Sequence, residues 1–218
     1  MSPLLDVHPP HESVHGWRDF LLHLTTITIG LFIALSLEGL VEWQHHRHLV
    51  REAEASLHDE IKSNASGIDT VLADLHQKQQ NLQKDVAILK VVAATGKFPT
   101  DKDMSIDFRI VTFDNLSWTT AQSTGALSYM PYSLARDYAG IYAQQELLTA
   151  SEQQAARDAV SAIGPFINEP KDAPPPSPEE ARSMIDKIET LQGQYILVEA
   201  MMTGLSFQYK HFLQNHPD

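Results

Sequence analysis

The chain has 218 residues, of which 43% are hydrophobic and 20% are charged, and its formal net charge is −12. This length accommodates one membrane span and one domain of ordinary size, but not two full soluble domains. The acidic balance argues against nucleic acid, and against an anionic lipid surface, as partners of that domain. Because the chain has no cysteine, disulfides, thiol nucleophiles and cysteine metal sites are excluded.

Residues 1–16 form a short tail with three prolines, which we expect to be disordered or docked. Residues 17–43 predict a transmembrane helix, because the run from Phe20 to Leu37 contains no Asp, Glu, Lys, Arg, Asn, Gln or Pro. With a helical rise of ~1.5 Å per residue and its flanks included, it reaches the ~30 Å of bilayer hydrocarbon. Trp17 and Trp43 stand where indoles anchor helices in the headgroup layer. A cleaved signal peptide is disfavoured, since no basic region precedes the run.

Several small or hydroxylated residues interrupt the apolar run. Thr25, Thr26, Gly30 and Ala34 would let another helix approach closely, which predicts a packing face inside the membrane. The alternative is a lone helix in which each Thr hydroxyl bonds to its own backbone.

Residues 44–94 predict a stalk helix that continues the span. Apolar residues recur every seven positions there, at Ile61, Ile68, Leu75, Leu82 and Leu89. No proline occurs between Trp17 and Ala94, which predicts one helix of more than seventy residues. Polar residues at the other heptad position, Asn64, Lys78 and Asp85, favour packing in a bundle over a dimeric coiled coil.

Residues 95–168 predict a part of the helical bundle. We expect a loop through Ile106 to Phe113, a shorter helix from about Asn115 to Tyr129, and a long helix that ends at Gly164 and Pro165.

Residues 169–178 are a proline-rich linker, and residues 179–218 are a long C-terminal helix. Ser177 is the predicted N-cap, with Glu180 at the third helical position. The apolar seam of this helix alternates spacings of four and three: Met184, Ile188, Leu191, Tyr195, Val198, Met202, Leu205, Tyr209 and Phe212. The predicted fold is therefore all-α: a transmembrane helix that continues into a stalk, followed by an antiparallel helical bundle.

Two clusters are candidates for binding. Glu42, His45, His46 and His48 have helical spacings that suit metal or haem ligation, although we favour a solvated turn that interacts with the headgroups. Trp118, Thr119, Gly125 and Tyr129 lie in a stretch rich in small and hydroxylated residues that would suit a ligand pocket, or close helix packing. We find no catalytic or cofactor motif, so we expect a non-enzymatic protein without a cofactor.

Two segments resemble an uncharacterised group of bacterial single-span inner-membrane proteins. The first, ITIGLFIALSLEGLVEW and the charged helix after it, is similar to that group's IG-x-x-IAL span; the second, SWTTAQSTGALSYM, is similar to its W-x-x-A-x-x-x-G-x-L segment. The residues that carry the likeness are Gly30, Ala34, Trp43, Glu60, Trp118, Ala121, Gly125 and Leu127. The resemblance implies an inner-membrane anchor with a helical domain outside the cytoplasm, and it implies no activity.

The expected function is that of a membrane-anchored accessory or scaffold subunit of a larger membrane complex. Its expected partners are the lipid bilayer and other membrane subunits or further copies of itself, and not nucleic acid. The alternatives are a ligand-sensing helical bundle and a metal- or haem-associated subunit. Arg47 and Arg51 after the span favour a cytoplasmic domain by a margin of about one charge. The resemblance and the missing cysteines favour a periplasmic domain, which we expect.

Overall fold

The computed structural model describes residues 16–100, 103–104, 112–164 and 174–217. These residues form four α-helices: α1, Trp17–Thr95; α2, Leu116–Ser123; α3, Tyr132–Ile163; and α4, Pro178–Asn215. A short 3-10 helix, Ala126–Tyr129, lies between α2 and α3, and no β-strand occurs in the described ranges. The prediction of an all-α protein is confirmed.

Helix α1 runs for 79 residues without interruption, as the absence of proline predicts. The chain separates into two compact units, residues 1–49 and 50–218, and α1 contributes to both. In the first unit, an 18-residue window of α1 has a mean hydropathy of 2.1, and none of its residues is buried. Among the described residues, α1 is the one helix that is long and apolar enough to cross a membrane.

The second unit has a hydrophobic core of its own. The heptad residues of α1 are buried there, with Leu57, Ile61, Ile68 and Leu89 at 0% exposure. All nine residues of the predicted α4 seam, from Met184 to Phe212, are also buried. The apolar patterns of the two helices therefore mark their packed faces correctly.

Contacts between α4 and the other two long helices run in opposite chain directions. Between α1 and α4 they are Asp69 with Lys210 at 3.1 Å, His76 with Glu199 at 2.7 Å, and Lys90 with Glu189 at 3.8 Å. Between α3 and α4 they are Gln144 with Gln208 at 2.9 Å, and Ser161 with Lys187 at 3.1 Å. As the residue number rises on one helix, it falls on its partner.

Contacts between α1 and α3 run in the same chain direction. The Tyr138 hydroxyl donates to the carbonyl oxygen of Glu54 at 3.4 Å, and the Tyr142 hydroxyl donates to the Glu60 carboxylate at 2.6 Å. Parallel neighbours need a connection that returns along the length of the first helix. The chain has returned by the start of α2, since Asp114 and Ser117 contact α1 again at Asn64 and Glu60.

The predicted helix from Asn115 to Tyr129 is wrong in its length. Helix α2 ends at Ser123, and a turn and a 3-10 helix follow. Gly125 adopts a φ of 75°, a left-handed conformation that glycine tolerates at little cost and that cannot continue an α-helix. Most of the predicted loop through Ile106 to Phe113, and the first half of the proline-rich linker (169–173), lie outside the described residues.

The start of α4 is confirmed in atomic detail as a capping box. The Glu180 N–H donates to the Ser177 hydroxyl at 3.3 Å, and the Ser177 N–H donates to the Glu180 carboxylate at 2.7 Å. The second bond holds the pKa of Glu180 below its ordinary value. Two backbone donors that the helix cannot satisfy internally are thereby paired.

We expect Ser177→Ala to lower the free energy of unfolding by about 1 kcal/mol, the usual effect of losing a helix N-cap. Chemical denaturation of the detergent-solubilised protein, followed by circular dichroism, measures the change. Ser183→Ala, an exposed position inside the same helix, is the control. Equal stability of the two variants would show that the capping box does not stabilise α4.

Candidate functional site

The two tryptophans that bracket the apolar run of α1 are exposed. Trp17 is 72% exposed and stacks on Phe20 with a ring distance of 5.7 Å, and Trp43 is 56% exposed with the Arg47 guanidinium 5.3 Å from its ring centre. A cation over an indole ring is attracted to the ring face, and indoles are enriched at the ends of helices that cross a membrane.

The predicted packing residues of the span form a partial stripe. Thr26, Gly30 and Ala34 recur every four residues and share one face of α1, whereas Thr25 lies about 100° around the helix from Thr26. The Thr26 hydroxyl donates to the Leu22 carbonyl at 2.9 Å, so the helix itself satisfies this polar group. The side chains of this stripe are therefore small, and its one hydroxyl, that of Thr26, does not require a hydrogen-bond partner on another helix.

The Glu42, His45, His46 and His48 cluster lies on α1 in the first unit. The rings of His45 and His46 are 6.0 Å apart and tilted by 52°. In the part of the chain that the structure describes, no group of three or more His, Asp or Glu side chains is placed to hold a metal ion. The structure thus gives the metal or haem hypothesis no support beyond the spacing of these residues.

The four residues of the predicted pocket do not converge. Trp118 stacks on Tyr142 with a ring distance of 4.9 Å and an interplanar angle of 8°. Thr119 is exposed and its hydroxyl donates to the Asn115 carbonyl, Gly125 forms the turn after α2, and Tyr129 is 52% exposed. Of the four, Trp118 alone lines a groove.

That groove lies between α2 and α3 and has a volume of about 530 Å³. Its aromatic lining residues are Phe113, Trp118 and Tyr142, and alanines from α3 also line it. Four amide side chains also line the groove: Asn115, Gln122, Gln145 and Gln153. Among the described residues that line it, Glu146 is the one ionisable side chain apart from Tyr142, and none is cationic.

Beneath the groove, a buried carboxylate joins α1, α2 and α3. One oxygen of Glu60 accepts the Tyr142 hydroxyl at 2.6 Å, and the other accepts the Ser117 N–H at 2.8 Å. Glu60 and Tyr142 are only 8% and 4% exposed. Burial, and secondly the bond to Glu60, raise the pKa of the Tyr142 phenol far above its ordinary value, so that the phenol stays protonated and remains a donor.

A second buried contact fixes the chain just before α2. The Asn64 side chain donates to the Asp114 carbonyl at 2.8 Å and accepts the Asp114 N–H at 3.0 Å. The Gln145 amide nitrogen also donates to that carbonyl, at 3.4 Å. Tyr209 is fully buried nearby, and its burial raises the pKa of its phenol. These contacts bind Asp114, just before α2, to α1 and α3.

The sequence contained part of the signal for these contacts. Asn64 occupies a heptad position that should be apolar, which indicates a buried polar residue with a partner. Its partner, the Asp114 backbone, is 50 positions away and carries no pattern of its own. Glu60, Ser117 and Tyr142 were missed as a group for the same reason, since only the folded chain brings them together.

Scans of the chain against protein-family models, curated proteins and solved structures found no match.

We expect Tyr142→Phe to lower the free energy of unfolding by about 1–3 kcal/mol, because the buried Glu60 carboxylate loses its shortest hydrogen bond. Denaturant titration of the purified protein measures this loss. Tyr132→Phe is the matched control, because it removes the hydroxyl of a tyrosine that is 82% exposed. If both variants lose the same small amount of stability, the Glu60 contact is not structurally important.

Proposed function

We propose that this protein is a membrane-anchored, non-catalytic helical subunit that supports the assembly of a larger membrane protein complex. One observation carries the proposal: the apolar window of α1 has no buried residue, whereas the second unit encloses its own core. Apolar surface of this length is costly in water and requires lipid or another protein around it.

Lipid is the first part of that environment. The helical window is long enough for a bilayer, and all its backbone groups except those at the ends can bond within the helix, as hydrocarbon requires. Trp17 and Trp43 are exposed at its two ends and suit the interfacial layers. In this proposal the chain crosses the inner membrane of a bacterium once.

A partner helix is the second part. Thr26, Gly30 and Ala34 form a narrow face without bulk, and helices in lipid associate through such faces by close van der Waals packing. A neighbouring subunit, or a second copy of this chain, would pack against this face. The wider sides of α1 present Leu, Ile and Phe, which suit lipid.

The second unit is, in this proposal, a helical bundle of α3, α4 and the continuation of α1, with a structural rather than a catalytic role. Two of its buried polar side chains hold elements together: Glu60 bonds to Tyr142 and Ser117, and Asn64 bonds to Asp114. A carboxylate whose two oxygens already accept hydrogen bonds is poorly placed to act as a base.

Copurification tests the proposal. The tagged chain, extracted in mild detergent, should retain a defined protein partner or form a stable oligomer. Gly30→Leu adds a side chain to the narrow face and should release that partner, because the two helices can no longer approach closely. Gel filtration with mass spectrometry of the retained proteins gives the measurement.

Ser36→Leu is the matched control for Gly30→Leu. Ser36 is also small and lies in the apolar run, but it is about 120° around the helix from Gly30 and its hydroxyl already bonds to the Phe32 carbonyl. It should leave the complex intact. A wild-type chain that is monomeric and carries no other protein would contradict the assembly role, and equal effects of the two variants would contradict the assigned face.

We place the second unit in the periplasm, on the grounds of its missing cysteines and the resemblance of the span. Protease added to spheroplasts should then digest α3 and α4, while the same protease should spare a cytoplasmic marker protein. Immunoblotting with a C-terminal tag follows the digestion. Protection of the tag in intact spheroplasts, with digestion only after lysis, would place the unit in the cytoplasm instead.

A further inference from the structure

A cation and an indole lie together just beyond the apolar run of α1. The Arg47 guanidinium carbon is 5.3 Å from the centre of the Trp43 ring, and the two residues are four positions apart on a continuous helix. Both residues are exposed. Because the negative face of the ring attracts the cation, the indole restricts where the guanidinium can point.

One face of α1 arranges its groups by depth. Leu40, Trp43 and Arg47 are spaced by three and four positions, so they share this face. With a rise of ~1.5 Å per residue, Leu40 lies about 4.5 Å before Trp43, and Arg47 about 6 Å after it, along the helix axis. The headgroup layer of a bilayer is roughly 5–7 Å thick on each side. With Trp43 at the edge of the hydrocarbon, Leu40 contacts acyl chains and Arg47 reaches the lipid phosphates.

The carboxylates near this face point away from it. Glu38 and Glu42 are the acidic residues between Leu37 and Arg47, and at ~100° per residue they lie about 180° and 140° around the helix from Arg47. The Gln44 amide, about 60° from Arg47, is a neutral donor. From Leu40 to Arg47, this face therefore presents one cation and two uncharged donors, the indole N–H and the amide.

A lipid phosphate matches these groups. The planar guanidinium can donate two parallel hydrogen bonds to a phosphate, and the two uncharged donors can bond to further oxygens of the headgroup. In a zwitterionic phospholipid, the ammonium of the headgroup competes with Arg47 for the phosphate. A phospholipid with a net negative charge has no such ammonium, so the face favours the anionic lipid.

We propose that Trp43, Gln44 and Arg47 form a binding site for the phosphate of an anionic phospholipid. The inference rests on the proposed membrane span and adds a lipid preference to it. The chain as a whole has a net charge of −12, which repels anionic lipid. A preference for that lipid therefore depends on this local cation.

Lipid competition on the full-length protein measures the preference. The tagged protein in detergent is mixed with equal amounts of a phosphatidylglycerol and a phosphatidylethanolamine that have identical acyl chains. It is then isolated, and the bound lipids are quantified by mass spectrometry. Phosphatidylglycerol should exceed phosphatidylethanolamine about fivefold, the effect typical of one basic side chain at an anionic membrane surface. Inorganic phosphate at constant ionic strength should leave this ratio unchanged, because it has no acyl chain to contact Leu40.

Arg47→Gln should bring the ratio close to one, because it removes the cation and keeps a polar side chain. Arg157→Gln is the matched control: it removes the same charge from α3, where Arg157 bonds to Gln154, and should keep the wild-type ratio. Equal ratios in wild type and Arg47→Gln, or loss of the preference in inorganic phosphate, would overturn the proposal.

Alkaline carbonate extraction of membranes distinguishes failure of this site from failure of the span. A wild-type chain that carbonate releases does not cross the membrane, which would contradict the span and this site together. A wild-type chain that stays in the membrane but binds both lipids equally would overturn the lipid site alone.

Discussion

The fold of this chain depends on how apolar surface is kept away from water. Helix α1 has two different patterns of apolar residues along its length. In the first unit, α1 contains an 18-residue window that is predominantly apolar, and no residue of this window is buried. In the second unit, α1 is apolar along one stripe, and Leu57, Ile61, Ile68 and Leu89 are fully buried there. The first pattern suits a solvent of lipid and the second suits a protein core. The change from one pattern to the other occurs within a continuous helix.

Polar contacts then determine which elements meet around that core. Glu60 connects α1 to α2 through the Ser117 N–H, and to α3 through the Tyr142 hydroxyl. Asn64, one turn further along α1, binds the backbone of Asp114 with both ends of its amide. A buried polar side chain of this kind contributes less to net stability than to the choice of one arrangement over another, since any other arrangement would leave it unpaired. The same contacts position Trp118 and Gln145 at the groove.

The sequence was sufficient to predict the helices and their buried faces, but only part of the candidate site. The α4 start at Ser177 and its seam to Phe212 follow from local rules of capping and periodicity. The helix predicted through Tyr129 ends early because Gly125 takes a left-handed conformation. The sequence alone does not predict whether a glycine within a helical pattern will adopt this conformation. Of the four residues of the predicted pocket, Trp118 lines the groove, whereas Thr119, Gly125 and Tyr129 were grouped with it only because they are near in sequence.

By itself the sequence determined the helical class, the apolar run of α1, and which faces of α1 and α4 are buried. These properties depend on residues within a few turns of one another, where spacing and side-chain type decide the outcome. Only the tertiary structure decided that α3 lies parallel to α1 and that the Glu60 carboxylate meets the Tyr142 hydroxyl. Those contacts join residues separated by tens of positions, and no local pattern encodes which distant side chain will complete a hydrogen bond.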